Sequence, residues 1–348
     1  MGTSAMEQGS AHAHPAGGRL RTIHYGIGPI GAEIARVAAA REGVEIVGAV
    51  DIDPAKVGRD LGEVVGLGRA LGVPISSSAG EVLAATKADV VLHTTGSYLV
   101  QVRPQLEELI DAGLNIVSTC EELAYPYAQH PEVAAEIDRR CQERGVTVLG
   151  TGVNPGFVMD TLALVMSGVC QQVTAVRCQR VVDASGRRQP LQKKIGSGLT
   201  TEEFQQLVDA RQVRHVGLYE SVVMIAEGLG WPLDEIQETT LPMIAEERIV
   251  TEYFDVAPGR VTGVNQVGTG LMGGREVVTL SLQMYLGARD PRDAIQIEGT
   301  PNVDLVLQGG THGDRATTAL VVNTARRVVD APPGIITMKD LPPATWFR

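Results

Sequence analysis

In the first 150 residues, short apolar runs alternate with stretches of helical period. A run from Thr22 to Tyr25 leads into Gly26-Ile-Gly-Pro-Ile-Gly31, after which Ile34, Ala35, Val37 and Ala38 recur at helical spacing. A second apolar run, Val44 to Val50, begins thirteen residues after Gly31 and ends at Asp51. Val73–Ile75, Ala88–His93, Leu114–Ser118 and Val146–Leu149 are the next strand candidates. Between them, Asp53-Pro54 and the capping-box pattern Ser78-Ala-Gly-Glu81 mark helix starts. Further helices are predicted through Pro104 to Ala112, ending at Gly113, and from Pro131 to Arg144, ending at Gly145. Regular strand–helix alternation with short connections predicts a doubly wound parallel sheet over residues 19–150.

Beyond Leu149 the pattern changes. Asn154 as N-cap and Pro155 at the first helical position predict an apolar helix to about Val169. Val173–Val182 reads as a long strand, Thr200-Thr-Glu-Glu203 as a helix start, and 217–227 as helix. Residues 247–307 carry four or five strand-like runs, including Val277–Leu286 and Asn302–Leu307. Residues 151–310 are therefore expected to form a second, mixed α/β domain on an open sheet, serving substrate binding and dimerisation. In residues 311–348, Thr311-His-Gly-Asp314 opens a helix through Val328 that is expected to return to the interdomain cleft, followed by a C-terminal tail. The first eighteen residues, rich in Gly, Ala, Ser and His, lack periodicity and an apolar h-region; they read as a disordered leader, with His12 and His14 in it.

Composition narrows the classes of function. The chain has 348 residues, 44% apolar and 20% charged, enough for two domains with their own cores. A formal net charge of −11 with only 4% aromatics argues against a nucleic-acid partner, which needs clustered Lys and Arg and stacking rings. No apolar run approaches the ~18 residues of a membrane span. The four cysteines, Cys120, Cys141, Cys170 and Cys178, show no metal spacing and suit a reducing cytoplasm.

The chemistry starts at the glycines. A strand, the G-x-G-x-x-G spacing, a helix and an acid at the end of the next strand together form a dinucleotide-binding unit. Gly26 allows the tight turn, Gly28 lets the backbone approach a pyrophosphate, and Gly31 lets helix and strand pack closely, with Pro29 and Ile30 between them. The free N–H groups at the helix start face the phosphates. Asp51, beside Ile52, is placed for the ribose hydroxyls and favours NAD over NADP, a preference that Lys56 or Arg59 would soften. Thr94, Thr95, Gly96 and Thr119 follow the fourth and fifth strands, at the sheet edge where ligands bind. Asn323, on the returning helix, is a further candidate cofactor contact.

A nicotinamide cofactor implies hydride transfer, with the protein supplying proton control. The Tyr-x-x-x-Lys pair of carbonyl reductases is absent. The sheet edge instead presents Glu121 and Glu122. A carboxylate suits an amine: an alkylammonium, with a pKa near ~10, must lose a proton before its carbon releases hydride. An iminium cation beside a carboxylate gains electrostatic stabilisation in a water-poor cleft. On an extended strand side chains alternate, so one of the two acids is expected to face the cleft and the other to brace a loop.

Five motifs in order carry a resemblance: Gly26-Ile-Gly-Pro-Ile-Gly31, Ser118-Thr-Cys-Glu-Glu-Leu-Ala-Tyr-Pro126, Gly152-Val-Asn-Pro-Gly-Phe-Val-Met-Asp160, Met284-Tyr-Leu-Gly-Ala288 and His312-Gly-Asp-Arg-Ala-Thr317. Together they resemble the 2,4-diaminopentanoate dehydrogenase family, which includes NAD(P)-dependent amine dehydrogenases and shares its fold with dihydrodipicolinate reductases. The resemblance covers Leu20 to Pro333. It implies reversible oxidative deamination, with ammonia and a ketone or aldehyde as products, and a homodimer built through the second domain. It places the catalytic glutamate at Glu121 and Asn154 beside the substrate. The chain shares Arg180 with the diaminopentanoate enzymes but has Gln283 where they carry His and Val182 where they carry a polar residue. Both departures weaken recognition of a charged end and imply an apolar pocket lined by Phe157, Val158, Met159 and Val182, with His215 as a further candidate. A small aliphatic amine without a carboxylate is the preferred substrate; a diamino acid held through Arg180 is the alternative. A non-catalytic NAD-sensing regulator is the reading from another class, and an acid at position 121 argues against it.

Overall fold

The computed structural model describes residues 18–187 and 189–348, so the leader expected at the N-terminus lies, but for Gly18, outside the described residues. Strand β1 (Leu20–Tyr25) leads into α1 (Pro29–Ala39), then β2 (Val44–Val50), α2 (Leu61–Val64), β3 (Ile75–Ser76), α3 (Ala79–Ala85), β4 (Val90–His93), α4 (Leu99–Asp111), β5 (Asn115–Ser118), α5 (Pro131–Arg144) and β6 (Thr147–Gly150). The second half contains α6 (Thr161–Ser167), β7 (Gln172–Asp183), α7 (Gln189–Lys194), α8 (Thr201–Asp209), α9 (Leu218–Leu229), β8 (Glu235–Ile244), β9 (Ile249–Val250), β10 (Asp255–Val256), β11 (Val261–Met272), β12 (Arg275–Tyr285), β13 (Arg292–Thr300) and β14 (Val303–Gln308). The chain ends with α10 (Gly313–Val329) and β15 (Gly334–Ile336).

The first sheet has the order β15-β6-β5-β4-β1-β2-β3, every pair parallel. Strand order reverses between β1 and β4, and their carboxyl ends frame the crevice where such sheets bind ligands. The second sheet, β14-β13-β7-β12-β11-β8, is antiparallel except for β7 and β12, making the mixed open sheet expected. Helices α6 and α9 pack on one face; Val222, Met224 and Ile225 join Val278, Leu280 and Ile295 in one core. The other face carries the half-buried, uncharged Gln179, Asn265, Thr269, Thr279, Ser281 and Gln283 at its centre, with Arg177 and Arg292 on the same face toward β13.

Several local readings change. Helix α4 begins at Leu99 rather than near Pro104, because its first N–H donates to Glu122 Oε2 at 2.7 Å, a cap supplied from another strand end. The helix expected from Pro155 starts only at Thr161. Asp160 caps it, accepting from the N–H of Gly156 and Thr161 and from the Ser221 hydroxyl, and residues 154–160 form turns around that buried carboxylate. Strand β8 precedes the region read as strands, and β15, read as tail, adds an edge strand to the first sheet.

A one-turn 3₁₀ helix, Glu121–Ala124, follows β5 instead of an extended strand. Its backbone lies so close to β6 that a Cβ on Gly150 would stand 2.4 Å from the carbonyl carbon of Leu123. Gly150→Ala is therefore expected to cost about 1–3 kcal/mol as overpacking. Thermal denaturation should show a lowered midpoint, and an unchanged one would refute the contact.

Candidate active site

A cavity of about 440 Å³ opens between the carboxyl edge of the first sheet and the second sheet. The cofactor side begins with the glycine turn. Gly26 has φ +91°, and a Cβ on Gly31 would sit 1.9 Å from the Gly26 carbonyl oxygen. Thr94 Oγ1 donates to that carbonyl at 2.7 Å, so its hydroxyl braces the turn. A Cβ on Gly28 would meet nothing, and α1 starts there with no side-chain cap. An open approach to uncapped N–H groups fits a dinucleotide pyrophosphate.

Asp51 serves this turn first. Its carboxylate accepts from the Ile27 N–H at 2.6 Å and the Asp53 N–H at 2.8 Å, and pairs with Lys56 at 3.3 Å. Lys56 also reaches Asp53 at 3.3 Å, and Ile52 beside them is 83% exposed. Beneath the ends of β4 and β5, buried His93 bonds Ser118 Oγ at 2.9 Å and Gln105 Oε1 at 2.8 Å, with the Thr95 hydroxyl alongside. Burial pulls His93 down to about 4, so it is neutral at ordinary pH.

Glu121 and Glu122 separate as expected, though a helical turn rather than strand alternation divides them. Glu121 lines the cavity. Burial pushes its carboxyl above the ordinary carboxylate range, while a Ser97 hydrogen bond and the Lys194 charge pull the other way. Glu122 turns inward, capping α4 and meeting His130 Nε2 at 2.9 Å.

Three buried polar side chains on the cavity wall have no hydrogen-bond partner among the described residues: Thr151 Oγ1, both amide atoms of Asn154, and His215 Nδ1. Leaving such groups unpaired costs ~1–3 kcal/mol each, so their concentration in one cavity marks a ligand site. His215 is clamped by Gln266, which accepts from its backbone N–H and donates to its carbonyl, and burial lowers its ring to about 4. Arg180, 3% exposed, donates to Thr311 O at 2.6 Å and Thr311 Oγ1 at 3.1 Å and faces Asp293 at 3.6 Å. The apolar wall includes Val153, Val182, Leu191, Leu282 and Met284.

Of the residues singled out in the sequence, Ile30, Thr94, Thr95, Gly96, Thr119, Glu121, Asn154, Arg180, Val182 and His215 meet at this cavity. Others do not. Val158 and Met159 are core residues and Phe157 packs against that core, because the turns around Asp160 replace the expected helix. Gln283 lies on the opposite face of β12 from Leu282 and Met284, so its difference from the family's His does not alter the cavity wall. Asn323 is not among the residues lining the cavity, and its side-chain oxygen accepts from Arg41 Nη2 at 3.4 Å. Sequence reasoning missed Ser97, Thr151, Arg187, Leu191, Asp314 and Thr317. Asp314 and Thr317 fall within a motif that the resemblance used, whereas Arg187 sits in a polar stretch with no signal of its own. Among the described residues no cluster of three or more His, Cys, Asp or Glu is placed to hold a metal, and no helix is long and apolar enough to cross a membrane.

Residues 157–347 match the family described as 2,4-diaminopentanoate dehydrogenase C-terminal domain, and residues 21–120 match the dihydrodipicolinate reductase N-terminus. The chain is 32% identical over 345 residues to a 2,4-diaminopentanoate dehydrogenase of Acetoanaerobium sticklandii, covering 93% of this chain and 94% of that protein. It is 25% identical over 354 residues to an amine dehydrogenase of Streptomyces virginiae, covering 93% and 96%. A solved amine dehydrogenase from Mycobacterium smegmatis superposes with a TM-score of 0.83 at 29% identity, covering 96% of this chain and 99% of that one.

Behind the turn that carries Glu121 lies a second buried acid. Glu220 on α9 is 1% exposed and accepts a hydrogen bond from the Gln129 amide. Burial, with Glu122 and Glu238 nearby, pushes it up to about 7. An ordinary glutamate titrates near ~4.3, so between those values the native chain holds a proton that the unfolded chain has released. Stability therefore falls as pH rises through that window. Glu220→Gln is expected to flatten the fall and raise stability at about pH 8 by roughly 2–4 kcal/mol, measured by urea midpoints across pH. An unchanged pH profile would exclude Glu220 as the source.

Proposed function

Since the chain belongs to the 2,4-diaminopentanoate dehydrogenase family, we propose that it is an NAD(P)-dependent amine dehydrogenase acting on a small aliphatic amine. The reaction is amine, NAD(P)⁺ and water in exchange for ketone or aldehyde, ammonia, NAD(P)H and a proton. When bound, the dinucleotide supplies hydride exchange with the carbon that carries nitrogen. The observation that carries the reading is the position of Glu121 in the cavity wall, between the edge formed by Thr94–Ser97 and Thr119 and the apolar residues of the second sheet.

Glu121 takes the proton from the alkylammonium, leaving the neutral amine from which hydride can depart. Its raised pKa makes it a stronger base than an exposed carboxylate. In the aminating direction its negative charge stabilises the iminium carbon. Thr151, Asn154 and His215 offer neutral polar atoms for the nitrogen and for the departing water.

Val182, Leu191, Leu282 and Met284 suit an alkyl chain. Arg180 is the feature that favours a diamino acid, but its guanidinium already faces Asp293 and donates to Thr311, which supports a substrate without a carboxylate. Asp51 and Asp53 favour NAD, and Lys56, paired with both, softens that preference. The open face of the second sheet, whose centre carries the uncharged Asn265, Thr279, Ser281 and Gln283, supports a homodimer, and four cysteines without disulfides support a reducing cytoplasm.

Ammonia-dependent NADH consumption with small ketones is the expected activity, at a higher rate than with the keto form of the diamino acid. Glu121→Gln should lower turnover at least ~100-fold while leaving NADH binding within a few-fold. Near-normal turnover would remove the acid from the mechanism. Sedimentation should give twice the chain mass, and Ser281→Arg, which puts a charge on the open sheet face, should shift the protein toward monomer. A monomeric parent protein would refute the dimer.

A further inference from the structure

The end of the cavity lined by Arg187 and Asp314 takes no part in the reaction described above. Arg187 follows β7, Asp314 lies in the first turn of α10, and Arg187 Nη2 donates to Asp314 Oδ1 at 2.8 Å. Both line the cavity, as do Leu191, Val182 and Met284. Among the described residues this is the one side-chain hydrogen bond that either group makes. A guanidinium with one bond keeps several N–H donors, and a carboxylate with one bond keeps acceptor sites. The Asp314 side chain is 39% exposed, so it is open to a ligand.

We propose that this ion pair is a subsite for a hydroxyl group on the substrate chain, making hydroxyketones and amino alcohols the preferred substrates; the proposal rests on the amine dehydrogenase reading. A hydroxyl accepts from a guanidinium N–H and donates to a carboxylate in the same place, satisfying both partners. A methyl group there removes water from two charged groups and returns no hydrogen bond. A carboxylate gains from Arg187 but meets Asp314, and the pair as a whole carries no net charge to attract it. Arg180 does not supply the missing charge, because Asp293 already faces it. The subsite thus separates three far ends of one carbon chain: alkyl, hydroxyl and carboxylate.

The test compares kcat/KM for hydroxyacetone against butanone, and 5-hydroxy-2-pentanone against 2-hexanone, with ammonia and NADH, and adds levulinate as the carboxylate. Wild type should favour at least one hydroxyketone over its methyl counterpart by ~10-fold or more, chiefly in KM. Arg187→Met should erase or reverse that ratio, and Asp314→Asn should shrink it and raise the relative rate with levulinate. Because each ratio is taken within one preparation, a partly folded variant alters both rates alike and leaves the ratio readable. Equal or better use of alkyl ketones by wild type, or a ratio that survives Arg187→Met, overturns the subsite alone. No turnover of any ketone overturns the amine dehydrogenase reading and the subsite together.

Discussion

The turn Glu121–Ala124 is held by steric exclusion from two sides, and the chemical end of the cavity depends on it. Gly150 of β6 leaves no room for a side chain against the turn's backbone. Gly217, at the start of α9, comes so close that a Cβ there would lie 3.3 Å from the Cβ of Glu121 and 2.3 Å from Pro155. Within that wedge two neighbouring acids take different roles. Glu122 is consumed by structure, capping α4 and meeting His130. Glu121 is left facing the cavity. A carboxylate on a free loop would sample solvent and keep an ordinary pKa; one fixed by packed backbone cannot relax away from its desolvation.

Charge is balanced around that acid rather than accumulated. Both histidines of the site, His93 and His215, are neutral because burial pulls each down to about 4. Both arginines on the wall have aspartate neighbours, Arg180 with Asp293 and Arg187 with Asp314. Among the described residues Glu121 therefore stands as the acid on the wall without a direct ion-pair partner, with the Lys194 charge pulling its pKa down and the Glu122 charge pushing it up. In a low-dielectric cavity that arrangement favours a transient cation on the substrate over any permanent one on the protein. An iminium carbon is such a cation. The unpaired Thr151, Asn154 and His215 atoms complement it: they offer hydrogen bonds without adding charge that would compete.

How much of this was legible in the sequence depended on how local the cause was. The glycine turn, β2 ending just before Asp51, and the Gly145 C-terminus of α5 depend on residues close together in the chain, and each is readable there. The loop after Asn154 was misread because what organises it is Asp160 bonded to Ser221, sixty-one positions away, and a propensity argument from Pro155 has no access to that bond. Gln283 was misjudged for a related reason: alternation assigns faces only once one residue's face is known, and Leu282 and Met284 settle it. Asp51 was recognised for its position, but its hydrogen bonds to Ile27 and Asp53 make it a brace of the turn before it is anything else. Arg187 had no pattern to reveal it, since its partner lies 127 residues further along.

That last separation points to how the two halves become one site. The segment from Thr311 onward supplies Thr311 to Arg180, Asp314 to Arg187, and Thr317 Oγ1 to the backbone of Val153. The same segment then crosses back, packing α10 against the first-domain core and adding β15 beside β6. Past β15 the chain ends with Trp346 and Phe347 against the Arg41 guanidinium, in the first half again. One continuous stretch thus touches the second-sheet arginines and the cofactor-side framework. Any displacement of α10 disturbs both the Arg187–Asp314 pair and the Val153 contact. A cavity whose walls belong to different sheets keeps its dimensions only if something rigid spans them, and here α10 does so together with α9, which packs on the second sheet and against the Glu121 turn.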